Sequence, residues 1–423
     1  MVGNAYPYTI NDWCSDIRLA QTHHFDAFAL NVGNEEWQKA RVLDGYEAAR
    51  QLHTGFKLFL SFDMTSIPGG SGADIEFLRR YLELVGHHPN QLMYQGRALV
   101  STFAGDQCTF GQTSLAGGWS VARSILETVC PVHFIPAFFI DPTRYPTLSC
   151  IDGIFHWNGG WPIHLTKDSP REEIECPALD TDRHHLQTLR DRTYMAAVSP
   201  WFFTHYGPDS WDKNWTYRGD DWLLVRRWEH LLARRNAIDI VQFISWNDYG
   251  ESHYIAPAWV DGFSHAPWLE LNAYFARAFK EGRMPPIERD KIFVWARPHP
   301  KNATAPDAVP RPRDWELVSP RSLRDLFRTT QPERMLQAED KFWVVVFARA
   351  PCMAFLAAGD ERPRRFTCPA GVSKLSCPLR IGHGMRAELV RDRVVVARCD
   401  PREYRFEAEP EAYNFNAYVA ASE

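Results

Sequence analysis

The sequence predicts an α/β protein, a (β/α)8 TIM-like barrel followed by a small all-β sandwich. Three observations carry this. Residues 1–285 alternate short apolar runs with amphipathic stretches, the signature of parallel βαβ units. No GxGxxG follows an early strand, which counts against an open doubly wound sheet. Beyond a proline-rich stretch the chain turns to short β-like runs divided by Pro, Gly and charges.

Taken in order, Asn11 to Gln21 has helical spacing, with Asn11 or Asp12 as its cap. Asp26–Val32 is the first clear strand, because only Met1–Asn4 remains upstream to serve as an earlier one. Helical spacing over Glu35–Leu52 ends at Gly55, and Phe56–Phe62 reads as a strand. Ile75–Val85 is helical, Ala98–Phe103 a strand and Val121–Val129 a helix. His133–Ile140 is a strand bent by its proline, and Gly153–Trp157 is a short one. Thr166–Asp182 reads as a loop, His184–Arg192 as a helix and Tyr194–Phe203 as a strand. Trp222–Arg235 is helical, Ile238–Trp246 is a strong strand, and Trp268–Lys280 is the last helix, closed by Gly282. That gives about seven strand–helix pairs, and the simplest closed form is a barrel of about 250 residues. Residues 286–314 read as a proline-rich linker or crossing segment, and 315–423 as the sandwich.

Composition excludes several classes. The 423 residues carry 47 Lys+Arg against 52 Asp+Glu, with no basic tract, so nucleic acid is not an expected partner. No apolar run reaches the roughly eighteen residues of a membrane span. The N-terminus has no basic region leading into an apolar one, so no signal peptide is visible. Nine cysteines include no CxxC pair, which speaks against structural zinc. Cys352, Cys368, Cys377 and Cys399 cluster late, either as disulfides of a secreted protein or as buried thiols. Aromatic residues make up 13%, suited to stacking on sugar rings and equally to filling the core of a large enzyme.

In a barrel the site lies at the C-terminal ends of the strands. The residues there are Asn31, Asp63, Asp106, Asp141, Trp157 and Asn158, Trp201 to Tyr206, and Asn247, Asp248 and Glu251 in the run Ser245–Tyr254. This is an acidic, Trp-lined rim, with no nucleophile elbow, phosphate loop or paired-His set. Within SWNDYGESHY, Asp248 and Glu251 follow a strongly apolar strand. Glycosidic cleavage needs two carboxyls, separated by about 5 Å for retention and about 6.5–9.5 Å for inversion. A three-residue step along an extended loop reaches the larger span, and Gly250 lets the loop turn. On spacing alone, capping a helix or pairing with arginines remains open for both acids. Asp63 fits either a sugar-hydroxyl partner or a structural acceptor, and Trp157 and Trp201 fit either stacking platforms or core. His205 and His253 are further candidates to orient substrate.

These residues resemble those of family 71 of the glycoside hydrolases, the fungal α-1,3-glucanases or mutanases. The matching stretches are MVGN at Met1, DAFALNVGN at Asp26, FKLFLSFDM at Phe56, GRALVSTFAGD at Gly96, VSPWFFTHYG at Val198, KNWTYRGDDW at Lys213 and SWNDYGESHY at Ser245. The resemblance implies a barrel followed by a β-sandwich, and endo-acting, inverting hydrolysis of α-1,3-glucan. It puts the general base on Asp248 and the general acid on Glu251. It makes Asn31, Asp63, Trp157, Trp201, Trp246, Asn247, Tyr249 and His253 subsite candidates. It implies no metal or cofactor, a monomer, a glucan partner, and an extracellular or cell-wall location. Ala104 stands where the family motif has an acid, and the tail resembles the family only loosely. Two other functions fit the same residues: a non-catalytic α-glucan-binding protein, and a barrel glycosidase or transglycosylase acting on another glucan.

Overall fold

The computed structural model describes residues 1–165, 169–175, 177–205, 214–217, 219–257, 264–300, 303, 328–329, 340–410, 413–414 and 416–423. It is a mixed α/β structure in two units. One holds Met1–Gly160, Asp180–Ala197 and Ala233–Phe243, and the other holds Trp161–Leu179, Val198–Leu232 and Ile244–Glu423. The division therefore runs through residues 1–285 rather than after them.

The first unit alternates strands and helices. Its strands are β1 (Ala27–Val32), β2 (Lys57–Asp63), β3 (Arg97–Phe103), β4 (Val132–Ala137), β5 (Gly153–His156), β6 (Thr193–Val198) and β7 (Ile240–Phe243). β1, β2, β3 and β4 pair in that order, all parallel. β5 and β6 also pair in parallel, with β7 beside β6. Pairing Ala27 with Lys57 and Leu60 with Val100 fixes the register. β2, β3 and β4 are almost continuously buried, as expected of parallel strands covered on both faces.

The helices of this unit are α1 (Ile10–Thr22), α2 (Gln38–Leu52), α3 (Ile75–Val85), α4 (Leu115–Leu126) and α5 (Asp182–Leu189). The cap of α1 is Thr9, not Asn11 or Asp12. Thr9 and Asp12 form a reciprocal capping box, with the Thr9 N–H donating to Asp12 Oδ2 at 2.8 Å. α2 ends at His53, in the left-handed region at φ 51°, two residues before Gly55. α4 begins six residues earlier than its apolar spacing suggests, because the Ser114 hydroxyl accepts the Gly117 N–H. Met1–Asn4 does not form a strand. Gly3–Ala5 is a turn of 3₁₀ helix, and the Val2 N–H donates to the Asn31 carbonyl at 2.9 Å.

Three strands stop earlier than the apolar runs do. β4 ends just past Pro136, and β6 ends two residues before Pro200, which has no N–H to offer a ladder. β7 ends at Phe243 because the chain then folds back, with the Ser245 N–H donating to the His253 carbonyl. The Thr166–Asp182 loop contains a short helix, Arg171–Glu175.

The second unit carries α6 (Leu223–Ala233) and α7 (Ala266–Glu281), the latter capped by left-handed Gly282 at φ 71°. Its sheets are antiparallel. The strands are β8 (Lys291–Ala296), β9 (Lys341–Ala348), β10 (Cys352–Ala358), β11 (Arg364–Cys368), β12 (Gly371–Pro378), β13 (Met385–Arg391), β14 (Val394–Cys399) and β15 (Tyr418–Ala421). One sheet has the order β12-β9-β8-β15 and the other β11-β10-β13-β14. Ile292, Val294, Val344, Val346, Ala354, Leu356, Ala387 and Leu389 share one apolar core between them.

β8 corrects the linker assigned to 286–314, of which 301–302 and 304–314 lie outside the described residues. Its run KIFVWA is buried throughout, and both neighbours pair with it antiparallel. Its one charge, Lys291, is neutralised by Glu270 at 2.5 Å. The eight described cysteines are buried free thiols, so the structure takes that alternative over disulfides.

Candidate active site

The run that follows β7 is a compact loop with its ends tied together. Besides the Ser245–His253 backbone bond, the N–H groups of Ile255 and Ala256 both donate to the Trp246 carbonyl. A single 3₁₀ turn, Tyr249–Glu251, forms its tip, and Ser252 closes that turn in the left-handed region at φ 62°. The Thr204 hydroxyl donates to the Gly250 carbonyl, pinning the tip to the Phe203–His205 strand. The Ser252 hydroxyl donates to Asn416 Oδ1 at 2.7 Å. Asp248 and Glu251 thus ride on a loop held at its ends and at its tip.

One carboxyl oxygen of Asp248, one of Glu251 and a ring nitrogen of His253 lie within 4.8 Å of one another. Asp248 is 8% exposed, and the Glu251 side chain is 18% exposed. Two carboxyls this close repel each other when both are ionised. The residues between them form a helical turn, not an extended step. The trio has the ligand chemistry for a small cation, but both ring nitrogens of His253 already face protein oxygens, Ser245 Oγ at 2.9 Å and Glu251 Oε2 at 3.0 Å.

The remaining sequence candidates separate by burial. His253 is fully buried and cannot reach a sugar, which corrects its assignment as a subsite residue. Trp201 is 2% exposed and packs on Trp268, so it is core and not a platform. Tyr249 is buried edge-on against Tyr254, with its hydroxyl donating to the Pro257 carbonyl, and Asn247 is buried too. Trp246 is half-buried. Asn31, Asp63 and Trp157 are half-buried at strand ends of the other unit. Asp63 Oδ1 accepts from the Thr65 N–H and hydroxyl, the structural role. Trp157 packs against Phe103 at 4.7 Å.

Sequence reading missed Trp161, and gave Ser245 and Phe202 no role. Trp161 and Phe202 flank the His253 ring at 5.6 and 5.7 Å. The Trp161 indole N–H donates to the Trp201 carbonyl, which fixes that wall. Their signal was available only as aromatic excess, because Trp161 lies 92 residues before His253 in the chain.

A profile of glycosyl hydrolase family 71 matches residues 1–423, including the tail that resembles the family only loosely by eye. Glucan endo-1,3-alpha-glucosidase agn1 of Schizosaccharomyces pombe is 33% identical over an aligned length of 433, covering 99% of this chain and 92% of that protein. Mutanase Pc12g07500 of Penicillium rubens is 29% identical over an aligned length of 440, covering 100% of this chain and 87% of its own length. The ascus wall endo-1,3-alpha-glucanase of Schizosaccharomyces pombe is 31% identical over 344 residues, 75% of each chain.

Proposed function

The chain belongs to glycosyl hydrolase family 71, and from that membership and the loop geometry we propose that it is an endo-acting hydrolase of α-1,3-glucan working through Asp248 and Glu251. The single observation that supports the pair is two shielded carboxyls within 4.8 Å on one braced loop. Glu251 gives its proton to the glycosidic oxygen, which leaves with the bonding electron pair. Asp248 takes a proton from the water that adds to the anomeric carbon, and solvent returns a proton from Asp248 to Glu251. In this reading the strands β1–β7 belong to a barrel of the (β/α)8 class. The two antiparallel sheets, which share one core, form the sandwich. The natural substrate is cell-wall glucan met outside the cell, the protein acts as a monomer, and Trp246, half-buried beside the acidic pair, contributes to glucan binding.

The same pair of carboxyls admits a second stereochemical reading. In it Asp248 attacks the anomeric carbon directly and the configuration is retained. Proton NMR of the first product anomer decides between them: β for inversion, α for retention.

The main test is Glu251→Gln, assayed by reducing-sugar release from insoluble α-1,3-glucan. Loss of a positioned acid costs about 10²–10⁴-fold, and pull-down on the same glucan should be unchanged. Full activity in this variant overturns the assignment of the acid. Wild-type binding without release on any of α-1,3-, α-1,4- and β-1,3-glucan favours the binding-protein reading. Release from α-1,4- or β-1,3-glucan alone favours another glycosidase.

A further inference from the structure

We infer that His253 is a positioning residue for Glu251, itself set by Ser245; this rests on the acid–base reading above. The His253 side chain has no exposure, so it touches neither substrate nor solvent. Its Nε2 lies 3.0 Å from Glu251 Oε2, and its Nδ1 lies 2.9 Å from Ser245 Oγ. The same Ser245 Oγ accepts the Asp248 N–H at 2.9 Å. One hydroxyl is therefore the common reference for both arms of the acidic pair, through the backbone for Asp248 and through an imidazole for Glu251.

Ser245 has one hydroxyl hydrogen, and its oxygen accepts the Asp248 N–H. With that hydrogen directed to Nδ1, the ring presents its N–H at Nε2 to Oε2 of Glu251. With Oε2 occupied by an N–H, the acidic proton of Glu251 resides on Oε1. The oxygen that delivers the proton is thus selected by a residue that never meets the sugar. The same N–H meets the negative charge that appears when the proton leaves, a preorganised donor that needs no rearrangement. Among the described residues, the titratable groups facing this ring are Glu251, Asp248 and His265.

The test uses the full chain on insoluble α-1,3-glucan, with Glu251→Gln, His253→Phe, His253→Gln and Ser245→Ala compared for kcat, KM, the pH profile of kcat/KM and the thermal midpoint. His253→Phe keeps a ring between Trp161 and Phe202 but removes both nitrogens. It should lower kcat about 10²-fold, the cost of a misaligned group, with KM unchanged and the alkaline limb of kcat/KM altered. His253→Gln restores an amide donor toward Glu251 and should recover a large part of kcat. Ser245→Ala should fall between the two. If Glu251→Gln is inactive while His253→Phe keeps the wild-type kcat and alkaline limb, the inference fails and the acid–base reading stands. If Glu251→Gln is active, both fall. A change confined to KM, or equal losses in His253→Phe and His253→Gln, also overturns the inference. Should His253→Phe not fold, wild-type kcat and pH limb in both His253→Gln and Ser245→Ala overturn it.

Discussion

Gly153 opens β5, and a Cβ built there would lie 2.2 Å from the Thr193 carbonyl oxygen on β6. The obstacle is backbone in a paired strand and cannot rotate away. Gly153→Ala must therefore push two parallel strands apart or lose their ladder. Overpacking of this kind costs about 1–3 kcal/mol, which differential scanning calorimetry should read as a lower thermal midpoint. Gly70→Ala is the control, since nothing lies within 4 Å of its Cβ, and it should be near neutral. The same distinction between identity and surroundings governs the site. Asp248 and Glu251 are legible in the sequence because two acids following an apolar strand suit the chemistry. What Ser245 and His253 do is not legible, because it depends on a hydrogen-bond partner eight residues away across a folded loop. The burial of Trp201 and Tyr249 is equally hidden, since an aromatic residue at a strand end has the same letter whether it faces sugar or core.

At the scale of elements, period and punctuation were readable where one segment satisfies itself. Ile75–Val85 matches α3 residue for residue because its apolar stripe and its flanks agree. β8 was missed because prolines and charges surround it and neither its partners nor Glu270 are local. Buried histidines make these packed elements sensitive to pH. His265, just ahead of α7, is fully buried and stacked on Tyr254, with its nitrogens 2.9 Å from the Tyr254 carbonyl and 3.1 Å from that of Ala417. Burial pushes it down to about 4. His299 is likewise driven to about 4, and burial lowers His133 and His185. The folded values lie below the unfolded value of about 6.5. The unfolded chain therefore binds protons first as pH falls. Stability from this source is full above about 6.5 and is lost progressively toward 4. The exposed carboxylates Glu47 and Glu76, held near 2 chiefly by hydrogen bonds from Arg50 and Arg79, act only at lower pH. The thermal midpoint should decline between pH 6.5 and 4.5, and His265→Gln should flatten that decline. An unchanged slope in the variant would remove His265 as a source.

At the scale of the whole molecule, the last eight residues join parts of the chain that sequence reading treated as separate domains. β15 pairs with β8, and the Ser422 N–H donates to the Ile292 carbonyl at 2.8 Å while its hydroxyl accepts the Ile292 N–H. Asn416, buried just before β15, accepts the hydroxyl of Ser252, the residue next to Glu251. A partner 164 residues away leaves no trace in local periodicity, so this brace could not be read from the letters. Its consequence is testable in two steps. Deleting residues 416–423 exposes the edge of β8 and removes the brace together, so both the thermal midpoint and glucan hydrolysis should collapse. Asn416→Ala isolates the brace, because β15 and its ladder remain. A hydrogen bond of this type contributes about 1 kcal/mol net, so the midpoint should fall only slightly. The turn carrying Glu251 loses an anchor, so kcat should drop by more than that small loss of stability explains, with KM nearly constant. Equal, small changes in midpoint and kcat would mean that Asn416 holds the sheet and leaves the acidic loop to its other ties.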